Sequence, residues 1–503
     1  MHNLNRYLFG TVFLTGAAVL VLEVAAVRIL APYYGSALYV FSSVLTVILA
    51  ALSIGYWYGG KRADQKHSLD ELYGLIAFSG LLVLALLLAA VTMLPAFSRI
   101  FPVSIGPLIF SFGLFFLPAF LLGIVSPYII KIQSIHTPGT EIGSVVGKTF
   151  FWGTLGSIVG SIASGFYLIP TLGVELSIIL TSIVLVGVGV VTPLFLDQPL
   201  RKKWMVSVLS IVVVFGSFLY LLIQTRDAQY AYRNDGIYSS IAIRDIDIYG
   251  QPGRILNRDT NSSSAIFLNN KDLVFDYTQF ALLYPKLVPD AKSMLMLGGG
   301  AYTIPRTVVE HDPNITVDVV EIEPVLFELA QEYFDLSDIS RITNYTEDAR
   351  VFLNRSDKKY DVIFADLFST SMAAPFHLTT YEYYKILQER LTPEGVLLLN
   401  YAGVPQGPQP SLTGSVFKTI SAVFPNTRAF MVRPPRTTKF QNIMVVSRNS
   451  DTPLQFPDAL TFRSGQNPTF EDMELDLTTY DFTKEYLLTD DFAPVEKLMA
   501  KQR

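Results

Sequence analysis

Seven segments in the first 225 residues each approach the roughly 20 apolar residues that a helix needs to cross a bilayer. This pattern constrains the fold more than any other feature of the chain. The composition agrees with it, because only 16% of the 503 residues are charged, whereas soluble domains carry about 25%. The sequence therefore predicts a seven-helix transmembrane domain over residues 1–225, with spans near 7–30, 38–58, 72–94, 105–130, 145–169, 174–196 and 204–223.

Basic residues mark alternate loops of this apolar half. Arg6 precedes the first span, and further Lys and Arg residues lie in the loops 61–66, 131–148 and 201–203. With seven spans all four groups fall on one side, which the positive-inside rule identifies as the cytoplasm. The pattern therefore predicts a multi-pass protein of the cell membrane, in contact with the lipid bilayer, whose residues 226–503 are extracytoplasmic.

Composition also excludes several function classes. The chain has no cysteine, so disulfides, thiolate metal sites and cysteine nucleophiles are excluded. Its five histidines show no metal-binding spacing, and we expect no metal. The net charge of −5 offers no electrostatic footprint for nucleic acid, and no nucleic-acid partner is expected.

The second half of the chain has the pattern of a soluble α/β protein. Short strand signals at 238–243, 254–256 and 265–268 predict a small β subdomain, and a helical pattern over 272–284 that stops at Pro285 connects it onward, so this part covers 226–289. From residue 290 to 503, apolar strands alternate with helices, which predicts a mostly parallel, doubly wound sheet. The last two strands, 429–432 and 443–447, are joined by a short connection that indicates an antiparallel pair.

Candidate ligand-binding residues follow the strands of this predicted sheet. Glu321 ends the second strand, Asp348 follows the third, and Asp366 follows the fourth. Because the carboxyl ends of parallel strands meet at one edge of an open sheet, these side chains are expected to share a ligand crevice. Three residues without a side chain, which let the backbone approach a ligand closely, directly follow the first strand: Gly298, Gly299 and Gly300.

The order of these elements resembles spermidine synthase and the wider polyamine aminopropyltransferase family. The matching stretches are MLGGG at 296–300, VEIEP at 320–324, EDARVFL at 347–353 and YDVIFADLF at 360–368. The stretch LTDDFAPVE at 488–496, together with the apolar N-terminal half, resembles the membrane-fused branch of that family. The resemblance implies a class I methyltransferase-like (Rossmann-type) sheet and a transferase without a prosthetic group. It also implies decarboxylated S-adenosylmethionine, or S-adenosylmethionine, as co-substrate, a polyamine as acceptor, and a homodimer.

The resemblance assigns roles residue by residue. Asp366 matches the catalytic acid that accepts the amine proton, Glu321 matches the acid that binds the ribose, and Asp348 matches the acid before the adenine pocket. The glycines match the family's nucleoside-binding loop. The residues assigned to the amine substrate are Tyr238, Tyr277 and Gln279.

The chain also departs from the family, mainly on the amine and aminopropyl side. Positions that are polar or acidic in the family are Ala301, Ser239, Thr278, Gln279 and Ser369 here. Three interpretations follow. The first is an aminopropyltransferase that binds an S-adenosyl nucleoside. The second is a methyltransferase on the same fold. The third is a catalytically degenerate domain that binds a ligand or a partner beside the membrane helices.

Overall fold

The computed structural model describes residues 2–35, 38–98, 100–136, 141–195, 223–367, 375–434 and 438–501, and single residues between 208 and 221. The chain divides into two compact units, Met1–Gln229 and Tyr230–Arg503. Each unit is described by itself.

The first unit consists of long apolar helices: α1 His2–Tyr34, α2 Leu38–Gln65, α3 Leu69–Phe97, α4 Gly106–His136, α5 Ile142–Ala163 and α6 Ile169–Phe195. A π-helical turn, Ser164–Leu168, joins the last two, so that Ile142–Pro193 forms one run of 52 residues. Counted in this way, the described residues contain five helices that are long and apolar enough to cross a membrane.

Close backbone contacts fix the relative direction of α1 and α5. Gly156 lies against Phe13, and Gly160 lies against Ala17, so the residue numbers rise together and the two helices run parallel. A Cβ atom at these glycines would lie 2.0 and 2.3 Å from the carbonyl oxygens of the partner helix. Small residues four apart therefore allow the backbones to touch, as in membrane helix pairs.

Two hydrogen bonds show that α1 and α3 also run parallel. The hydroxyl groups of Thr11 and Tyr73 are 3.3 Å apart at one end. The Tyr34 hydroxyl donates to the carbonyl of Ser98 (3.0 Å) at the other end. Helix α1 runs parallel to α5 and to α3, so these three helices point the same way.

Helix α6 has the opposite direction. The Ser182 hydroxyl donates to the carbonyl of Gly80 (2.7 Å), whereas Gly189 lies against Ala77, so the numbers on α6 rise as those on α3 fall. The chain reverses at Gly173, whose φ of 78° and ψ of 168° are not helical. The 52-residue run is therefore a pair of antiparallel helices, in agreement with the predicted spans at 145–169 and 174–196. The predicted seventh span, 204–223, lies mostly outside the described residues and stays a prediction.

Ion pairs identify the two ends of this unit. At one end Lys131, near the end of α4, pairs with Asp64, near the end of α2 (2.8 Å). Helix α3 begins at that end, because residues 66–68 alone connect it to α2. Since α6 is antiparallel to α3, its start lies at the opposite end, where Glu175 pairs with Arg226 (2.6 Å).

The second unit begins with a four-stranded antiparallel sheet that corresponds to the predicted small β subdomain. Its strands, in spatial order, are β1 Tyr232–Asp235, β2 Ser240–Ile248, β3 Gln251–Arg258 and β4 Asn261–Phe267. The helix predicted over 272–284 is instead a 3-10 helix, Asp276–Leu283, followed by the short helix α7, Tyr284–Leu287. Pro285 does not end a helix but lies in the first turn of α7, where no backbone N–H needs an intrahelical partner.

The large sheet has seven strands: β5 Ser293–Leu297, β6 Thr316–Glu321, β7 Ile342–Thr346, β8 Tyr360–Ala365, β9 Leu391–Gly403, β10 Asn426–Met431 and β11 Gln441–Arg448. Their spatial order is β10-β11-β9-β8-β5-β6-β7. Only β11 is antiparallel to its neighbours β9 and β10. The predicted Rossmann-like fold, with an antiparallel closing pair, is confirmed.

Helices cover both faces of the large sheet: α8 Thr303–His311, α9 Leu326–Tyr333, α10 Ala349–Arg355, α11 Tyr381–Glu389, α12 Leu412–Ser421, α13 Phe470–Met473 and α14 Val495–Ala500, with 3-10 turns at Phe376–Leu378 and Leu477–Thr479. Strand β5 is buried on both faces. Leu295 and Leu297 pack into one apolar cluster, and Met294 and Met296 pack into the other. This burial explains the continuous apolar run before the glycines. The chain leaves β5 toward β6 on one side while β8 lies on the other, so a crevice opens at the carboxyl end of β5.

Candidate functional site

A cavity lies at this crevice and collects most of the residues predicted from the sequence. The predicted residues that line it are Gly298, Gly299, Gly300, Glu321, Tyr277 and Asp366. Asp348, Tyr238 and Gln279 are not among its lining residues. The sheet thus brings together the glycine loop and two of the three strand-end acids.

The glycine loop is held against the strand end that carries Asp366. Gly298 has a φ of +89°, and a Cβ atom there would lie 2.2 Å from the carbonyl oxygen of Asp366. The conformation and the contact both require glycine. Gly300 has a φ of +53° and would place a Cβ atom 2.6 Å from the Ser264 hydroxyl. That hydroxyl accepts the backbone N–H of Ala301 (3.1 Å), so strand β4 also supports the loop.

Glu321 is buried and binds the same loop through its carboxylate. Its Oε2 atom accepts the N–H groups of Gly299 (2.9 Å) and Gly300 (3.0 Å), and its Oε1 atom accepts the N–H of Glu323 (3.0 Å). A carboxylate offers about four acceptor positions. Three are therefore occupied, which leaves one position on Oε1 for a ligand hydroxyl.

Arg258 lies beside Glu321 and is a functional candidate that the sequence did not reveal. Its guanidinium is 3.6 Å from Glu321 Oε1 and donates to the Ser239 hydroxyl (3.2 Å). The residue is 8% exposed. A guanidinium this deeply buried requires a charge partner, so Arg258 and Glu321 neutralise each other at the base of the cavity.

Asp366 accepts one hydrogen bond on each carboxylate oxygen. The Tyr277 hydroxyl donates to Oδ2 (2.9 Å), and the Asn400 side-chain amide donates to Oδ1 (2.7 Å). The remaining lone pairs of both oxygens stay available to a ligand in the cavity. The side chain is partly exposed, toward that cavity.

The surroundings of Asp366 raise its pKa toward neutral pH. Desolvation in the enclosed cavity raises the pKa of Asp366 to about 6, against the opposing effect of the hydrogen bonds from Asn400 and Tyr277, and Glu321 adds to the rise. Burial also raises the pKa of the Tyr277 phenol well above its ordinary value, so it remains a donor at neutral pH. A carboxylate with a pKa near the working pH suits a general base.

Asn400 and Asn442 extend this network, and the sequence analysis missed both. The side-chain amide of Asn442 donates to the Asn400 carbonyl oxygen (3.0 Å), and both side chains line the cavity. Asn400 is 3% exposed on β9. An asparagine inside an otherwise apolar strand was the available signal, because a buried amide must find hydrogen-bond partners.

The other predicted site residues have different surroundings. Asp348 is the N-cap of α10 and accepts the N–H groups of Arg350 and Val351. The hydrogen bond and charge of the neighbouring His377 lower the pKa of Asp348. Tyr238 is 50% exposed in the turn before β2. Gln279 is buried, and within the described residues its side-chain nitrogen has no hydrogen-bond partner.

The positions at which the chain departs from the family also have a structural explanation. Ala301 faces an apolar cluster that includes Leu256 and Leu326, not the cavity. Thr278 lines the cavity, while Ser239 receives the hydrogen bond from Arg258. Ser369 lies outside the described residues. In the part of the chain that the structure describes, no group of three His, Asp or Glu residues could hold a metal ion.

Comparison with known proteins gives a consistent result for the C-terminal part. Residues 281–455 match the spermine/spermidine synthase domain. A probable polyamine aminopropyl transferase of Bifidobacterium longum is 29% identical over 288 residues, which cover 53% of this chain and 62% of that protein. Polyamine aminopropyltransferase 1 of Streptomyces coelicolor is 24% identical over 450 residues, which cover 84% of this chain and 80% of that protein.

A solved structure is also similar to part of this chain. The crystal structure of a probable spermidine synthase from Corynebacterium glutamicum has 24% sequence identity and a TM-score of 0.39, and the match covers 44% of this chain and 80% of that one. The match to the spermine/spermidine synthase domain lies in the part of the chain that follows the N-terminal helical region.

Proposed function

We propose that the second unit transfers an aminopropyl group from decarboxylated S-adenosylmethionine to an amine acceptor. The observation that carries the proposal is the position of Asp366, whose carboxylate faces the cavity beside the glycine loop with a pKa of about 6. The spermine/spermidine synthase domain over residues 281–455 supports the same reaction.

The chemistry assigns a role to each group around Asp366. The neutral acceptor nitrogen attacks the methylene carbon next to the sulfonium, a C–N bond forms, and the C–S bond breaks. Methylthioadenosine leaves as a neutral thioether, and the amine proton passes to a carboxylate oxygen of Asp366. Tyr277 and Asn400 hold that carboxylate in one orientation, which supports catalysis by positioning.

The nucleoside part of the co-substrate would lie against the glycine loop. The loop has no side chains to block a close approach, and one acceptor position of Glu321 remains for a ribose hydroxyl. The guanidinium of Arg258, 3.6 Å from the Glu321 carboxylate, compensates its negative charge. These residues would bind and orient the nucleoside, while Asp366 acts on the acceptor.

The test is release of methylthioadenosine by the purified full-length protein supplied with decarboxylated S-adenosylmethionine and an amine. Release that depends on the amine supports the proposal. Transfer of a labelled methyl group from intact S-adenosylmethionine would instead support a methyltransferase. Nucleoside binding without turnover of either compound would support a ligand-binding domain.

Asn400→Leu should move the pH dependence of the reaction. The amide of Asn400 stabilises the ionised form of Asp366, so its removal raises the pKa of the base. A hydrogen bond to a charged group is worth about 1.5–3 kcal/mol, and the acidic limb of kcat/KM should therefore move upward by about one to two pH units. The measurement is the pH profile of methylthioadenosine release. A lower rate with an unchanged limb would mean that Asn400 does not act through Asp366.

We further propose that the second unit is extracytoplasmic. The end of the helical unit near Lys131 carries the basic loops, whereas the Glu175–Arg226 pair lies at the other end. Helix α6 leads from Glu175 toward the basic end, whereas Arg226, which follows it in the chain, lies beside Glu175 at the opposite end. This supports the predicted seventh span, and the positive-inside rule then puts the basic end in the cytoplasm.

A cysteine placed on each side tests this topology, because the chain has none of its own. In intact cells a membrane-impermeant maleimide should label Gln466→Cys, in an exposed loop of the second unit, with no need for lysis. The matched control is His67→Cys, exposed at the basic end, which should react only after lysis. The reverse pattern would mean that the second unit faces the cytosol.

A further inference from the structure

A row of four polar side chains crosses the cavity from one charged group to another. Asp366 follows β8, Asn400 lies on β9, Asn442 lies on β11, and Arg433 follows β10. All four line the cavity. Because β8, β9, β11 and β10 are consecutive in the sheet, the row runs across the strands at one edge.

The two ends of this row carry opposite charges. Asn442 donates to Asn400 and Asn400 donates to Asp366, so the hydrogen bonds run toward the carboxylate. At the far end, the guanidinium of Arg433 has no hydrogen-bond acceptor and no carboxylate partner among the described residues. Its backbone N–H alone has a partner, the side-chain oxygen of Gln441 (2.7 Å).

One more carboxylate lines the cavity. Asp276 is 8% exposed and accepts the backbone N–H of Ser464 (3.3 Å), with no cation paired to it in the described residues. Glu321 and Arg258 already neutralise each other. Among the described lining residues, the charges left for a ligand are therefore two carboxylates, Asp366 and Asp276, and one guanidinium, Arg433.

A simple diamine does not complement this set of charges. Such a substrate enters as a dication, and Arg433 would repel the ammonium group that lies nearest to it. A diamino acid carries two amines and one carboxylate, which match two carboxylates and one guanidinium. Arginine binds a carboxylate with two parallel hydrogen bonds, which a lysine or an amide does not reproduce.

The spacing of the strands fits a molecule of this length. Three strand-to-strand steps of about 4.8 Å separate the backbones of Asp366 and Arg433, roughly 14 Å in all. Both residues line the cavity that spans this interval. The two asparagines between them offer neutral amides along the path of an aliphatic chain.

We infer that the acceptor subsite takes a diamino acid, an amine that also carries a free α-amino and α-carboxylate group. The inference rests on the proposed aminopropyl transfer and names its acceptor class. Arg433 binds the carboxylate, Asp276 binds the α-ammonium group, and Asp366 faces the side-chain amine. That amine attacks the aminopropyl carbon, the C–S bond breaks, methylthioadenosine leaves, and the amine proton passes to Asp366.

The experiment compares acceptors that differ only by the carboxylate. The full-length protein is given decarboxylated S-adenosylmethionine with L-ornithine or putrescine, and with L-lysine or cadaverine, and release of methylthioadenosine is measured. The wild type should use each diamino acid with a kcat/KM at least tenfold above that of the matching diamine. Arg433→Gln should reduce this preference to about one, through the loss of activity with the diamino acid.

Lys439→Gln provides the matched control, because it removes a cation from the same loop at an exposed position that does not line the cavity. It should keep the wild-type preference. Equal or better use of the diamines by the wild type would overturn the inference and leave the proposed transfer intact. An Arg433→Gln loss of the same size for both acceptor types would also overturn it. No release with any of the four amines would overturn both proposals.

Discussion

Asp366→Asn should abolish the release of methylthioadenosine from decarboxylated S-adenosylmethionine. The substitution keeps the size of the side chain but removes the group that takes the amine proton. A general base contributes about 10²–10⁴ in rate, so kcat should fall by about 10³-fold, while the KM for the nucleoside should change little. The measurement is amine-dependent release by the full-length protein, with wild type and variant prepared in the same way.

The matched control for this prediction is Asp451→Asn, which neutralises an exposed carboxylate that does not line the cavity. It should leave the rate unchanged. Equal release by the wild type and the Asp366 variant would show that another group accepts the proton.

Stability measurements separate this effect from misfolding. The raised pKa of Asp366 means that the folded state holds a proton more tightly than the unfolded state. The free energy of unfolding therefore decreases as the pH rises from the unfolded value of about 3.9 through about 6. The Asn variant does not carry this cost at neutral pH. At neutral pH the free energy of unfolding of the variant should therefore be no lower than that of the wild type. Its loss of activity would then not be due to misfolding.

The large sheet was predictable because its signals are local. The run 293–297 and its glycines, and the acid at the end of 316–321, follow from burial on both faces and from the rule that ligands bind at strand ends. In the structure the first strand of this sheet covers Ser293–Leu297 and ends directly before the glycines. In contrast, β1, Tyr232–Asp235, has only four polar or aromatic residues and no apolar alternation, so the sequence did not reveal it.

The candidate site was predictable only in part, because half of it depends on contacts across strands. Glu321 ends β6 and Asp366 follows β8, the two strands that flank β5 in the sheet, so their convergence at one edge could be expected. Arg258, Asn400 and Arg433 belong to three different strands or strand ends, and only the sheet order brings them to one cavity. No spacing in the sequence encodes that order.

Ala301 and Asp348 have structural roles that differ from those suggested by the sequence. The alanine at position 301 suggested a lost aminopropyl-binding acid, yet its side chain packs among Leu256 and Leu326, so this position supports the glycine loop from behind. Asp348 caps a helix, as a strand-end aspartate before a helix commonly does. The polar groups that surround Asp366 come instead from β9, β11 and the 3-10 helix.

Glu321→Ala should both destabilise the second unit and abolish nucleoside binding. The carboxylate satisfies the N–H groups of Gly299, Gly300 and Glu323 and the charge of Arg258. Unpaired buried polar groups cost about 1–3 kcal/mol each, and a buried charge without its partner costs about 3–5 kcal/mol. Because water in the cavity can reach part of the loop, we expect a net loss of about 3 kcal/mol in the free energy of unfolding.

Hydrogen exchange of the amides in β5 and β6 is the suitable measurement, because all three tryptophans belong to the first 225 residues and tryptophan fluorescence does not report on the second unit. Glu328→Ala, at an exposed position on α9, is the matched control and should leave protection unchanged.

Glu321→Gln separates the loss of stability from the loss of nucleoside binding. Its amide oxygen can accept one loop N–H while its amide nitrogen faces another donor, so it should keep part of the stability but lose at least tenfold in methylthioadenosine affinity. If Glu321→Ala kept wild-type protection and affinity, the carboxylate would be a bystander to the loop, and the nucleoside would have to bind through other groups of the cavity.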